Sequence, residues 1–567
     1  WGLAERSPFT PGYPSSVLSL LLSLPLYASE VPTEPLSDLQ SALSAAMAQL
    51  QRLPDPPYYL AYAVTETDQL TLQGTNGAYA GDERSRGRVV DIDLRVGSMK
   101  LDNTHKIRDA AWFSEPERPD VRAPITNDPA LLRNLLLRYT DDVYRAALRQ
   151  LIKVRSNDVV KVEREDPSDD FSVATPVQDV VALPPLTVDE QVWKETLRQV
   201  SAIYLQYPAV QDSAVEITVQ QERRWLVSNE GAKIADGRNH LRVATWGTAI
   251  AADGMEVQVY DYVDGPSVET MPDRKAIELM VHGVAQRVTA LLSAPLVEPY
   301  DGPAILRGRA AGVFFHEIFG HRIEGHRQKD EDEGQTFTSR VGQSILPGFL
   351  SVYDDPTLVR VGNVDLNGTY RYDDEGVPAQ RVPLVEHGVL RNFLMGRAPV
   401  ANFPTSNGHA RRQPGFAPVP RQGNLLIQAE TSVPYSKLRE MLIEEIRKQK
   451  KPFGLIFDDI SGGFTFTGRS TPNAFSVQPA TVWKVFADGR PDQLVRGVDL
   501  IGTPLTTFSR ILAAGDDPEV FNGMCGAESG WVPVSAIAPS LLIQQVEVQR
   551  QDKMSDRPPL LPPPGVR

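Results

Sequence analysis

One run constrains this chain more than any other: His316-Glu317-Ile318-Phe319-Gly320-His321-Arg322-Ile323-Glu324-Gly325-His326. It places two imidazoles and a carboxylate in a segment otherwise suited to burial. From Ala310 to Phe319 the residues Val313, Phe314, Phe315, Ile318 and Phe319 are apolar and read as a buried helix. Ionisable groups are rarely fully buried unless they are paired or bind a metal. Two imidazoles and an adjacent carboxylate are what a hydrolytic zinc site needs, as ligands for the metal and a base for its water. Only eight histidines occur in the chain, and three of them fall at 316, 321 and 326, which favours a designed cluster.

The spacing His-Glu-x-x-x-His is one residue longer than the common His-Glu-x-x-His pattern. On a regular helix, at about 100° per residue, side chains five apart diverge by roughly 140°. A π-bulge realigns them by absorbing one residue, and Gly320 is the expected place for it. The third ligand is open from spacing alone. Cys525, the single cysteine, lies in Asn522-Gly523-Met524-Cys525-Gly526 and reads as a glycine-flanked loop. It cannot form an intrachain disulfide, and zinc accepts mixed Cys/His ligand sets. His326 and Glu324 are the rivals. Glu324, three residues after His321, is better suited to holding His321 in one tautomer, and His326 to lining a pocket or the surface.

These residues resemble the TldD/PmbA family of metalloproteases. The resemblance rests on His-Glu-x-x-x-His continued by Glu324-Gly325, and on a late cysteine followed by Val532-Pro533-Val534. It runs from about Tyr58 to Val548. Further matching pieces are Leu101-Asp102-Asn103-Thr104, Ser228-Asn229-Glu230-Gly231, Gly302-Pro303, Asn392-Phe393-Leu394-Met395, Ser406-Asn407-Gly408 with Arg411, Ser461-Gly462-Gly463 and Gly502-Thr503-Pro504. The resemblance implies one zinc per chain on His316, His321 and Cys525, with Glu317 as catalytic base. It implies an extended or unfolded peptide as substrate, and a homodimer or a heterodimer with a metal-free paralogue. Two positions depart from the family pattern: Ser529-Gly530 stands where Gly-Gln is often found, and His326 where many members are acidic.

With 567 residues the chain is too long for one compact core. A net charge of −14 argues against nucleic acid as the main partner, because phosphate contacts need a basic surface. There is no Walker loop and no dinucleotide fingerprint in a strand–helix setting. The apolar stretch Val17 to Leu26, followed by Tyr27-Ala28-Ser29, is short for a stable membrane span and has the outline of an export signal. An exported or periplasmic protein is expected if 17–29 is such a signal, and a cytoplasmic one otherwise.

The organisation expected is a leader (1–29), an N-terminal domain (30–300) with two parts split near 166–186, a C-terminal zinc-binding domain (301–548) and a Pro-rich disordered tail (549–567). Helices are expected at Leu39–Leu53, Asp128–Val154, Thr187–Tyr204, Asp273–Leu292 and Leu438–Lys448. Strands are expected at Tyr58–Thr65, Leu70–Gly74, Val89–Val96, Val215–Val219, Arg224–Ser228, His240–Ala251, Val257–Val263, Phe453–Phe457, Val482–Phe486, Gln493–Val498 and Leu541–Val548. Strands clustered between helices without strict alternation give an α+β fold with mainly antiparallel sheets.

The function expected is hydrolysis of peptide bonds by a metal-bound water that Glu317 activates. The alternatives are a peptide-capturing partner subunit with a structural metal, and a metallohydrolase of small amides. His409 is a candidate oxyanion stabiliser. Arg411 could hold a substrate carboxylate, and Gly462 and Gly463 could let a peptide backbone approach closely or make a tight turn.

Overall fold

Asn76-Gly77 begins the architecture. Both residues have positive φ, 47° and 80°, and together they form a two-residue turn of the kind that matches strand twist. The turn joins the strands Pro57–Thr75 and Ala78–Ser98 into one long antiparallel hairpin. Three separately expected strands are thus parts of two. Asp212–Ser228 pairs with the first strand, Lys233–Ile250 with Asp212–Ser228, and Glu256–Gly265 with Lys233–Ile250, all antiparallel. The computed structural model describes residues 34–551 apart from 108–120, 127, 159–165, 185, 331–332, 466, 469–474 and 503–506. The expected leader, and the expected tail beyond Gln551, lie outside the described residues.

Successive side chains of a strand face opposite ways, and this sheet uses its faces differently. Leu60, Tyr62 and Val64 pack with the helices Glu34–Leu50 and Pro129–Asp158. Farther along the same face, Leu70 and Leu72 pack with Glu190–Ser201 and Arg274–Ser293. Between the two apolar clusters sits Glu66, buried and bonded to Arg88 (2.6 Å) and Arg86 (2.7 Å). Arg88 also donates to the carbonyls of Pro124 and Thr126. The opposite face, through Ala63, Leu226 and Ile234, meets Tyr372 of the C-terminal half.

The C-terminal half has two larger sheets. A six-stranded sheet runs Val389–Leu390, Val382–Glu386, Leu350–Asp354, Asn424–Ala429, Gly530–Ala538, Glu519–Ala527, with one parallel pairing between the fourth and fifth. The other sheet closes on itself. Tyr300–Leu306 pairs with Leu541–Arg550, which pairs with Val498–Gly502, then Phe475–Val485, then Gly454–Thr465, and the last returns to Tyr300–Leu306. The helix Tyr435–Lys448 covers this ring from outside through Leu438, Leu442 and Ile446. The helix Gly308–Ile318, which carries His316 and Glu317, lies between the two sheets and shares one apolar core with both. The sheets are mainly antiparallel and the fold is α+β. Among the described residues no helix is long and apolar enough to cross a membrane.

The strand Tyr300–Leu306, which precedes the metal helix, is not among the expected strands. One sequence expectation is corrected here. Cys525 lies within the strand Glu519–Ala527 and not in a loop, because its backbone pairs with Val532. The glycines that flank it read as loop residues, yet here they serve close packing within a strand.

Buried arginines join the halves. Arg397 donates to the Ser172 carbonyl and to both oxygens of Glu230. Its guanidinium lies 3.9 Å from the centre of the Phe171 ring, which Arg95 also meets at 3.8 Å. Arg224 bridges Asp236 in its own sheet to Asp374 and the Tyr372 and Asp373 carbonyls across the boundary.

Glu66→Ala removes the partner of buried Arg88 and is expected to destabilise the protein by ~3–5 kcal/mol at neutral pH. Burial raises the Glu66 pKa, but its arginine partners outweigh that and hold it below the usual value. The stability from this carboxylate is therefore complete above about pH 4.3, the ordinary Glu value, and fades as pH falls through the depressed one. Urea unfolding at several pH values should show the parent's advantage over the variant shrinking in that acid range.

Candidate metal centre

The site helix has no capping side chain of its own at Arg307. Glu519, from the cysteine strand, takes that place: it accepts from the Arg309 N–H (3.1 Å) and pairs with Arg307 (3.1 Å). A carboxylate there complements the positive end of the helix dipole. Gly308 and Gly312 let the helix lie against the sheet, since a Cβ would stand 2.7 Å from the Ala538 oxygen at the first and 3.0 Å from the Ala536 oxygen at the second. Helix and cysteine strand are thereby fixed to one another.

The helix stops at Ile318. Gly320–Ile323 continues as a 3-10 turn, which advances about 120° per residue. This corrects the expected π-bulge: the extra residue is absorbed by ending the α-helix, not by widening it. Arg322 holds the ending in place by donating to the Glu317 (3.1 Å) and Ile318 (3.0 Å) carbonyls, which have lost their helical partners. Gly320 serves close approach. A Cβ there would collide with the Gln422 side chain, whose Nε2 donates to the His316 carbonyl at 3.4 Å.

As a result three ligand atoms converge. His316 Nε2 is 3.2 Å and His321 Nε2 3.4 Å from Cys525 Sγ, and all three side chains are buried. The two imidazole rings lie 5.1 Å apart at 78° to each other. Glu317 Oε2 lies 4.0 Å from His321 Nε2, the nitrogen that faces the sulfur. Burial pushes the Glu317 carboxyl upward. Burial also opposes ionisation of Cys525, but His321, His316 and Arg421 outweigh it and bring the thiol well below its ordinary value. Burial likewise disfavours His321 as a cation, and Cys525 and Glu324 reverse that and raise it well above the ordinary value. Two imidazoles and a thiolate form a zinc donor set. The N···S separations are close enough that one ion could replace the hydrogen bonds now linking these atoms.

Glu324 stands behind His321, with Oε1 3.3 Å from Nδ1. Burial works against its charge, yet His321 and Arg327 hold its pKa down at about 2. It therefore occupies the orienting position and leaves the sulfur side of His321 open. His326 turns away to pair with Glu528. A second group of Glu324, His326 and Glu528 also brings ligand atoms together. There Arg327 already bonds Glu324 Oε2 (2.8 Å) and Glu528 Oε2 (2.8 Å), so a cation is built in.

Other sequence candidates lie in different surroundings. His409 is fully buried, with Nδ1 3.0 Å from the Asn407 oxygens and Nε2 3.2 Å from Asp354. Both ring nitrogens are engaged, so the structure does not present it as an oxyanion donor. Arg411 is buried; its Nη1 donates to the Gln422 (2.8 Å) and Pro533 (2.6 Å) carbonyls, and its guanidinium stacks 4.6 Å from the Tyr370 ring centre. Gly462 and Gly463 belong to the strand Gly454–Thr465, paired with Gln478 and Val477, and make no tight turn.

Residues 299–550 match the family described as the PmbA/TldA metallopeptidase C-terminal domain. The C-terminal half of this chain belongs to the PmbA/TldD family. A protein named Metalloprotease from Methanothermobacter thermautotrophicus is 28% identical over 309 residues, 54% of this chain and 63% of that one. A Zinc metalloprotease TldD homolog from Saccharolobus solfataricus is 22% identical over 275 residues, 48% of this chain and 57% of that one. The chain thus spans about three fifths of the length of these relatives. The crystal structure of TldE from Thermococcus kodakarensis has a similar fold, with a TM-score of 0.58 at 14% identity over 90% of this chain and 100% of that one.

Within this domain the sequence reading missed Arg322, Arg327, Arg421 and Gln422. Arg421-Gln422-Gly423-Asn424 precedes the apolar Leu425-Leu426-Ile427, and a polar run entering a buried strand was the available signal. Gly320→Ala should displace Gln422 from the His316 carbonyl and destabilise by ~1–3 kcal/mol through overpacking. Thermal melts with and without zinc should show a lower midpoint and a smaller zinc-dependent shift than the parent.

Proposed function

We propose that this chain is a zinc-dependent peptidase acting on extended or unfolded peptides. The observation that carries the reading is the convergence of His316 Nε2, His321 Nε2 and Cys525 Sγ beside the buried carboxylate of Glu317. The names of the curated relatives agree with it. His316, His321 and Cys525 would hold the ion. When bound, zinc supplies Lewis acidity, which lowers the pKa of a bound water and polarises a carbonyl.

The chain's own residues do the rest. Glu317 accepts a proton from the attacking water at a carboxylate oxygen and returns it to the leaving amine. Its apolar setting raises its pKa, and a stronger base suits that first transfer. Glu324 fixes the orientation of His321. Arg322 fixes the helix end that carries Glu317. Assembly as a homodimer, or as a heterodimer with a metal-free paralogue, belongs to the same proposal, as does one zinc per chain.

Glu317→Gln is the test. It preserves size and removes the base, so zinc content should stay at the parent level while hydrolysis of an unfolded polypeptide falls roughly 10²- to 10⁴-fold. Equal activity in variant and parent would remove Glu317 from the chemistry. No hydrolysis of polypeptide by the zinc-loaded parent, with turnover of small amides, would turn the reading to an amidohydrolase. Neither activity would leave a peptide-capturing subunit with a structural metal.

A further inference from the structure

Arg421 is among the largest fully buried side chains of the protein, and nothing in the proposed chemistry uses it. One arm of its donor fork reaches the proposed ligand Cys525. Nη2 donates to Cys525 Sγ (3.1 Å) and to the Cys525 carbonyl (2.7 Å). Nη1 donates to Ser529 Oγ (2.8 Å) and to the Gly530 carbonyl (3.1 Å). Nε faces Glu324 Oε1 at 3.4 Å, and Glu324 in turn contacts His321. One guanidinium therefore touches the sulfur and, through a single carboxylate, an imidazole of the same ligand set.

We propose that Arg421 is a positioning residue that holds the Cys525 sulfur as a ligand and draws electron density from it through an N–H···S bond. The inference rests on the zinc-site reading above and deepens it. A thiolate ligand donates more charge than an imidazole and so weakens the metal's Lewis acidity. A charge-assisted hydrogen bond to the sulfur offsets part of that donation. The geometry suits arginine in particular, since its planar fork serves sulfur, carbonyls and hydroxyl at once while a lysine ammonium is a point donor. Ser529 is fully buried and its hydroxyl oxygen accepts from this guanidinium, so it belongs to the same arrangement.

The experiment loads the full-length protein with Co²⁺ and reads the sulfur-to-cobalt charge-transfer band, alongside zinc affinity from chelator competition, in the parent, Arg421→Gln and Arg421→Lys. The parent should show the band, and its absence would sink the zinc-site reading itself. Arg421→Gln should bind zinc roughly 10- to 100-fold more weakly, with its band at longer wavelength because the sulfur is more electron-rich. Arg421→Lys keeps the charge opposite Glu324 and one possible N–H···S bond. It should fold even if Arg421→Gln does not, with zinc affinity weaker than the parent's and a band at longer wavelength, each by less than the change expected for Arg421→Gln. A parent band with unshifted bands in the folded variants, whatever their affinity, would overturn the proposal and leave Arg421 a packing residue.

Discussion

Burial of the Cys525 sulfur as an anion is the constraint that the rest of the site answers. Removing a charge from water is costly unless partners compensate. Here they come from separate parts of the chain: His316 on the helix, His321 on the 3-10 turn and Arg421 after a short strand. Each must arrive at the right place, so the helix ending, the glycine contacts against the sheet and the carbonyl bonds of Arg322 act as one arrangement. Beside the sulfur the two imidazole rings lie 5.1 Å apart, both buried.

The same electrostatic logic extends outward. Glu324 is fully buried between His321, Arg421 and Arg327, and Arg327 reaches Glu528 and Glu333. Between the two halves of the protein, Arg224 and Arg397 bond carboxylates and carbonyls on both sides of the boundary. Such contacts are directional, so they fix orientation where an apolar interface would allow sliding. The N-terminal sheet thereby gives the half that carries the candidate metal site a defined face to pack on.

The sequence made part of this legible. An apolar helix interrupted by His316 and Glu317 announced a buried polar site, and α+β character followed from strands grouped between helices. The helical stretch at Asp273–Leu292 could be read because its apolar residues repeat at helical spacing, and it appears as Arg274–Ser293. The strands Leu350–Asp354 and Val382–Glu386 were not read, the second because Pro383 within it argues against a strand. The strand around Cys525 was hidden by its glycines. Arg421 and Arg327 were hidden for a different reason: a buried arginine is recognisable only once its acceptors, from distant segments, are assembled around it. Conversely, His409 and Arg411 looked functional because they are polar residues in a loop-like run, yet each is enclosed by carbonyls and side chains of its own domain.

The account's central claim is that two histidines and the single cysteine form one metal site. Zinc content per chain, measured on the purified parent beside Cys525→Ser and His316→Ala, tests it most directly. About one zinc in the parent, lost or much weakened in both variants, is the result the account predicts. A Cys525→Ser protein that keeps its full zinc would contradict it, since the sulfur would then be no part of the ligand set.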